Sequence, residues 1–483
     1  MTDVKLLIGG KDADAKAGAV FERKNPLTGA VASRAANAGA SDAAAAADAA
    51  AAVFPAWAEM APGARRALLL KAAEKLKAKA PAFAEACSAE TGSTIGWGHF
   101  NVHFASTLLE EAAAMTTQIA GEVIPSNHHG TTAMAVRQPA GVCVGMAPWN
   151  APVILGVRAL AMPLACGNTV ILKASETCPL THRLIADAFQ AAEFPAGVVN
   201  FVCHSAENAP AVAEALISHK AVRRVNFTGS TRVGRIVAEM AGRNLKPVLL
   251  ELGGKAPLVI LDDADLDEAA AAASFGAFMH QGQICMATDR IIVDRKVGDD
   301  FVGRFKKKAE GLTIGMPKDG QFALAGLVDE SAVARLNAML ADAKDKGAKI
   351  VTGGQTNGLL FPPTIVDHVT RNMRIYAEES FGPIVAVIRA KGTDDALALA
   401  NDSDYGLSAA VFGRDVGRAL SVARRIESGI CHVNSATVQD EGQMPFGGVK
   451  NSGYGRFGGK AAIAEFTDLR WITVTEEPRR YPI

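Results

Sequence analysis

The sequence predicts an α/β protein whose parallel β-sheets carry helices on both faces, and three observations predict it. From about residue 140, short continuous apolar runs alternate with amphipathic runs at helical spacing. That texture marks strands buried on both sides and joined by crossover helices. Hydrophobic residues make up 49% of the chain and charged residues 21%, a globular balance. The 483 residues can bury large cores without covalent staples and suggest about three domains.

The elements follow in order. Residues 41–90 read as helices, because Leu68, Leu69, Leu70, Ala73 and Leu76 recur at helical spacing among Arg65, Arg66, Lys71, Glu74, Lys75 and Lys77. Pro55, Pro62 and Pro81 are expected to break that region into pieces, since proline has no N–H and its ring clashes with the preceding turn. Strands are predicted at 142–147, 169–173, 198–202, 222–227 and 248–251, and helices at 157–166, 180–192, 209–218 and 233–241. A second helix–strand stretch runs from about 256 to 435. It holds an alanine-rich helix from Leu266 to about Phe278, with Asp265 as the expected N-cap and Glu268 three residues later. Alternation at 466–474 reads as one more strand. Ligands of such sheets bind outside the carboxyl ends of the strands.

Composition excludes several functions. Lys+Arg and Asp+Glu are each 50, a net charge of +0, so no bulk positive field gathers phosphates and nucleic acid is not an expected partner. The seven cysteines are Cys87, Cys143, Cys166, Cys178, Cys203, Cys285 and Cys431. They are odd in number, with no CxxC and no Cys/His pair at zinc spacing. Neither a disulfide framework nor a metal site is expected, and a reducing cytoplasm is. The N-terminus lacks a signal-peptide layout, and the alanine-rich stretch 43–58 is interrupted by Asp48 and Pro55, so no membrane span is expected.

Several motifs sit where ligands bind. Phe227-Thr228-Gly229-Ser230-Thr231-Arg232-Val233-Gly234 joins a predicted strand to a predicted helix. Free N–H groups and the positive dipole end at such a helix start suit a phosphate, and Gly229 permits close approach; the alternative is an ordinary capped turn. Lys173-Ala174-Ser175-Glu176 ends another strand. Its Glu can accept hydrogen bonds from ribose hydroxyls and its Lys can donate one; a surface salt-bridging loop is the alternative. Gly453-Tyr454-Gly455-Arg456-Phe457-Gly458 satisfies G-x-G-x-x-G, but no apolar strand precedes it, so it reads as a glycine-rich loop. Among the cysteines only Cys285, in His280-Gln281-Gly282-Gln283-Ile284-Cys285, has the setting of a nucleophile; the other six read as inert and buried. His280, five residues upstream, keeps a Cys–His hydrolase open as a rival. Glu251 ends an apolar strand, where partial burial raises a carboxyl toward general-base range.

Taken together, the chain resembles the aldehyde dehydrogenase superfamily. The resemblance rests on Pro148-Trp149-Asn150, Lys173-Ala-Ser-Glu176, Phe227-Thr-Gly-Ser-Thr, Glu251-Leu-Gly-Gly-Lys255, Gly282-Gln-Ile-Cys285, Glu379-Ser-Phe381-Gly-Pro383, Ala400-Asn-Asp-Ser-Asp-Tyr-Gly-Leu-Ser and Pro445-Phe-Gly-Gly-Val-Lys-Asn-Ser-Gly453, in the family's order from about residue 20 to the end. It implies a Rossmann-like NAD-binding domain (1–125 and 145–253), an α/β catalytic domain (254–440) and a small β-ribbon oligomerisation arm (126–144 and 465–483). It implies Cys285 as nucleophile, Asn150 with the Cys285 backbone N–H as oxyanion hole, and Glu251 as the base for thioester hydrolysis. For the cofactor it implies Trp149, Lys173, Glu176, Gly229, Ser230, Gly234, Glu379 and Phe381. Glu251 favours release of the free acid over transfer to coenzyme A. Glu176 repels a 2′-phosphate, so NAD is expected before NADP. The run from Glu90 to Asn101 with Trp97, together with Arg158 and Lys-Ala-Ser-Glu-Thr-Cys-Pro, is similar to the branch acting on salicylaldehyde, vanillin and benzaldehyde. There Trp97 is expected to wall an aromatic ring and Arg158 to anchor a polar substituent, with a packed helix residue and a surface charge as the alternatives. An aliphatic or semialdehyde substrate is the alternative within the family, and a homodimer or homotetramer is expected.

Overall fold

A computed structural model describes residues 2–476, 478 and 481–483. Its largest sheet has eight strands, in the order Gly453–Tyr454, Val248–Glu251, Val222–Thr228, Val142–Met146, Thr169–Lys173, Val199–Val202, Leu6–Ile8 and Lys11–Ala13. The central strands, from Val248–Glu251 to Val199–Val202, are parallel, and the flanking ones are antiparallel. Chain order reverses at Val142–Met146: the next two strands lie on one side of it and the following two on the other. That reversal opens a crevice at the carboxyl edge, and the four segments leaving it carry Asn150, Glu176, Gly229 and Glu251.

The crossover helices are Pro152–Ala165, Pro179–Ala191, Ala209–Ser218 and Thr231–Arg243. Pro152–Ala165 is buried at every residue, because it lies between the sheet and helix Ile95–Met115. A helix buried all round shows no polar stripe, which is why its first turn was not legible in the sequence. Pro62 and Pro81 open the helices Pro62–Ala78 and Ala80–Thr91, where the missing N–H costs nothing. Pro55 does not break the chain as expected; it lies inside Ala40–Ala58, exposed, four residues beyond a partly exposed Ala51 whose carbonyl it leaves without a donor.

The second sheet has seven strands, in the order Lys349–Thr352, Thr364–Asp367, Ile384–Ala390, Thr288–Asp294, Ala256–Ile260, Ser408–Phe412 and Ile430–Val433, all parallel except the first pair. Its alternate residues feed two cores, Val259, Ile292 and Ala386 on one face and Leu258, Ile291 and Val385 on the other. Both faces are therefore covered, which accounts for the continuous apolar runs. Asp265 caps Leu266–Phe278 by accepting from the N–H groups of Asp267 and Glu268. A separate antiparallel ribbon pairs Thr467–Thr475 with Thr131–Pro139, and Glu122–Ile124 with the latter. Residues 142–144, expected in this arm, belong instead to the eight-stranded sheet: Gly141, at φ 140°, turns the chain from one sheet into the other. Among the described residues no helix is long and apolar enough to cross a membrane, and no group of His, Cys, Asp and Glu is placed to hold a metal.

Candidate active site

A cavity of about 880 Å³ opens between the two sheets. Its lining brings together Trp149, Asn150, Glu176, Gly229, Ser230, Glu251, Cys285, Glu379 and Phe381, which lie up to 232 residues apart in sequence. Lys173, Gly234, Trp97 and Arg158 are not part of that lining.

One half suits a dinucleotide. The turn after Val222–Thr228 leads into Thr231–Arg243, and Ser230 caps that helix by accepting from Val233 N–H at 3.4 Å. The capped-turn reading and the phosphate reading therefore describe the same feature, because capping leaves other first-turn N–H groups free. A Cβ on Gly229 would lie 2.5 Å from the Phe227 ring, so only glycine fits there. Gly234 serves packing: its Cβ would lie 2.4 Å from Leu252. Glu176 lies at the strand's carboxyl edge, and burial lowers the neighbouring Lys173 ammonium to about 8 against the pull of Glu176. At the other end Glu379 accepts from Gly254 N–H at 2.9 Å, and burial pushes its carboxyl up to about 7. Phe381 takes φ 42° and meets the Trp149 ring edge-on at 5.9 Å. Uncapped N–H groups at a helix start, a carboxylate at each end of the cavity and an aromatic pair are groups that suit a nicotinamide dinucleotide.

The other half is reactive. Cys285 is partly exposed, whereas Cys87, Cys143, Cys166, Cys178 and Cys203 are buried; Cys431, expected buried, is partly exposed as well. Burial, and then the negative charges of Glu251 and Glu379, hold the Cys285 thiol well above its ordinary value. Glu251 is 1% exposed, and burial lifts its carboxyl to about 7. It adjoins the Cys285 thiol closely enough to feel it, yet no hydrogen bond of ordinary geometry closes between them and both carboxylate oxygens lack a partner. Such an unpartnered buried carboxylate is costly and is found where chemistry requires it. Asn150 Nδ2 donates to the Gln283 carbonyl at 3.0 Å, two residues before Cys285 in the same cavity.

The glycine-rich loop at 453–458 supports this half. Gly453 pairs with Glu251 at the edge of the sheet, at φ 105°, and Ser452 Oγ donates to the Gly253 carbonyl at 2.7 Å. The loop is a brace for the Glu251 turn, so its G-x-G-x-x-G pattern is coincidental. His280, the hydrolase rival, makes no hydrogen bond to Cys285; burial depresses its imidazole to about 3, and it stacks on Trp97 at 4.4 Å.

Trp97 and Arg158 are both enclosed. Trp97 is 7% exposed, and its indole N–H donates to the Asn150 backbone carbonyl at 2.9 Å. Arg158 is no surface charge: it is buried, ion-paired with Asp440, and lies over the Phe446 ring at 4.3 Å. Its positive charge reaches both Cys285 and Glu251. Sequence reasoning missed Arg335, which donates to the Glu379 and Ser380 carbonyls, and the buried Lys255–Asp289 pair at 3.0 Å behind them. Lys255 was in view within a quoted motif, but nothing local pairs it with a residue 34 positions on.

The chain is similar to known proteins along its whole length. A model described as the aldehyde dehydrogenase family matches residues 13–472. The chain is 58% identical over 483 residues to vanillin dehydrogenase of Pseudomonas fluorescens, covering 100% of both. It is similar to the crystal structure of a salicylaldehyde dehydrogenase from Pseudomonas putida G7 complexed with salicylaldehyde, at TM-score 0.98 and 48% identity over 100% of each chain. It is also similar to a betaine aldehyde dehydrogenase from Staphylococcus aureus solved in complex with NAD+, at TM-score 0.94 and 29% identity, covering 99% of this chain and 98% of that one.

Proposed function

The chain belongs to the aldehyde dehydrogenase family, and from that premise we propose that it oxidises an aromatic aldehyde to its carboxylic acid with NAD, through Cys285. It is an oxidoreductase that uses a nicotinamide cofactor. The observation that carries the mechanism is the meeting of Cys285, the unpartnered Glu251 and the Asn150 amide in one cavity with the Gly229 turn.

In this reading Glu251 accepts the thiol proton and the Cys285 sulfur adds to the aldehyde carbon. The carbonyl electrons move onto oxygen, where the Asn150 amide and the Cys285 backbone N–H donate to it. Removing one such donor typically costs about 3 kcal/mol of barrier. A nicotinamide held by the Gly229 turn, Glu176 and Glu379 would supply the hydride acceptor. Loss of hydride from the substrate carbon leaves a thioester on Sγ. Glu251 passes the thiol proton to solvent and then takes a proton from water; the resulting hydroxide adds to the thioester carbon, the acid leaves, and the thiolate regains its proton from Glu251, restoring the resting pair. A carboxyl near 7 suits this task, being ionised in part at neutral pH yet basic enough to accept a proton.

NAD is proposed over NADP because Glu176 at the ribose end disfavours a 2′-phosphate, although the exposed Arg232 lines the same end. The aromatic substrate is supported by the vanillin and salicylaldehyde relatives; Arg158, paired with Asp440 and outside the cavity lining, is not needed for it. Domain limits follow the sheets: a cofactor unit on the eight-stranded sheet, a catalytic unit on the seven-stranded one, and the ribbon as arm. The ribbon leaves Trp471 78% and Leu469 62% exposed, which supports a homo-oligomer joined through it. A cytoplasmic location is in keeping with seven unbridged cysteines. The test is a panel of benzaldehydes and aliphatic aldehydes followed by NADH absorbance, with Cys285→Ala as control. Preference for short aliphatic aldehydes refutes the substrate class, and turnover without NAD refutes the reaction.

A further inference from the structure

We propose that Trp97 and His280 are a positioning pair for Asn150, so that the indole acts on the oxyanion donor and not as a wall for the substrate ring. This deepens the proposed function and rests on its assignment of Asn150.

Trp97 stands in the first turn of Ile95–Met115, where the N-cap Thr94 hydroxyl accepts from Trp97 N–H at 3.1 Å. The ring is therefore fixed at its root. Its only N–H donor is spent on the Asn150 backbone carbonyl, 53 residues away in sequence. The same helix makes a second tie just beyond: Asn101 accepts from Ile154 N–H at 3.5 Å and donates to the Trp97 carbonyl at 3.0 Å. The indole stacks on His280 with the rings 9° from parallel, and on Phe100 at 5.4 Å.

His280 and Gln281 hold left-handed backbone, at φ 49° and 56°. Side chains other than glycine occupy that region at a cost, and such strain persists where surrounding contacts over-determine it. Here the strained turn delivers two things. It places the imidazole on the indole, and it brings the Gln283 carbonyl to Asn150 Nδ2 at 3.0 Å. Asn150 is thus held at its main chain by Trp97 and at its amide by the turn that begins with His280. The His280 Nε2 is buried without a hydrogen bond of ordinary geometry, yet the Asn150 backbone is close enough to favour its protonated form against burial, so the imidazole meets the indole by its face and lies beside the Asn150 main chain.

The test separates positioning from a substrate wall. Trp97→Phe keeps an aromatic face for the stack and removes the N–H. It is expected to lower single-turnover hydride release on the order of tenfold, by the same factor for benzaldehyde and acetaldehyde, with KM for either moving less than about twofold. His280→Asn, which tolerates left-handed backbone but cannot stack, is expected to act in the same direction with a smaller loss. NAD binding and Tm serve as controls for folding. In the Asn150→Ala background, Trp97→Phe is expected to cost nothing further. A rise in KM confined to benzaldehydes with kcat intact overturns the proposal, as does an undiminished tenfold loss in that background. If Asn150→Ala alone leaves the rate unchanged, the proposed oxyanion hole fails and the positioning pair with it.

Discussion

Glu251 gives a prediction that links catalysis to stability with opposite signs. In Glu251→Gln the carboxylate becomes a neutral amide of the same shape. The side chain is 1% exposed, and burial lifts its carboxyl from the ordinary 4.5 to about 7. Below about 4.5 the folded and unfolded chains both carry the proton, and Glu and Gln cost the fold alike. Between 4.5 and 7 the unfolded chain ionises while the folded chain holds its proton, so the native state loses stability as pH rises. Above about 7 the penalty is complete, at about 3 kcal/mol. The Gln variant escapes it. For a chain of this length melting as one unit, about 3 kcal/mol corresponds to a Tm difference of about 3 °C. The assay is thermal unfolding of both proteins at pH 5 and pH 9, with acid formation from a benzaldehyde measured in parallel. We expect Gln and wild type to melt within about 1 °C of each other at pH 5, the variant to melt about 3 °C higher at pH 9, and its steady-state turnover to collapse. In the wild type, thioester hydrolysis should rise with pH through about 7 and then level. A Tm difference that is the same at both pH values, or a variant that melts lower at pH 9, refutes the assignment of a buried, uncompensated carboxylate.

Three further outcomes follow from individual contacts. Glu176→Gln should raise the NADP-to-NAD ratio of kcat/KM on the order of tenfold, because a like charge is removed from the 2′-phosphate position while Arg232 remains; an unchanged ratio removes Glu176 from that role. Arg158→Met should lower stability by about 3 kcal/mol by leaving Asp440 buried without its partner, and adding Asp440→Asn should restore most of it; equal melting of single and double variants dissolves the pair. Gly453→Ala should cost more than about 2 kcal/mol, since its Cβ would lie 2.0 Å from the Leu250 carbonyl oxygen at φ 105°, whereas Gly242→Ala, with open space around it, should be neutral or stabilising.

Strand positions were largely legible, and for a local reason. Thr169–Lys173 and Val248–Glu251 have the predicted limits because short buried parallel strands are continuous apolar runs. Ala209–Ser218 and the Asp265 cap were equally clear. The miss at Pro152–Ala165 came from total burial, and the miss at Pro55 from an exposed site that tolerates a lost hydrogen bond. The reactive residues were legible as types at motif positions; what they touch was not.

By itself, then, the sequence determined the parallel α/β architecture, the family and the motif positions at which Cys285, Glu251, Asn150, Glu176 and Glu379 stand, because periodicity and motif order are properties of the chain read in line. Tertiary structure alone decided their states. Burial lifted the Glu251 carboxyl to about 7, the brace at Ser452 and Gly453 fixed its turn, and the packing of Ile95–Met115 against the strained 280–283 turn drew Trp97 onto Asn150. Desolvation and contact between residues scores of positions apart depend on the folded path of the chain, and no local pattern encodes them.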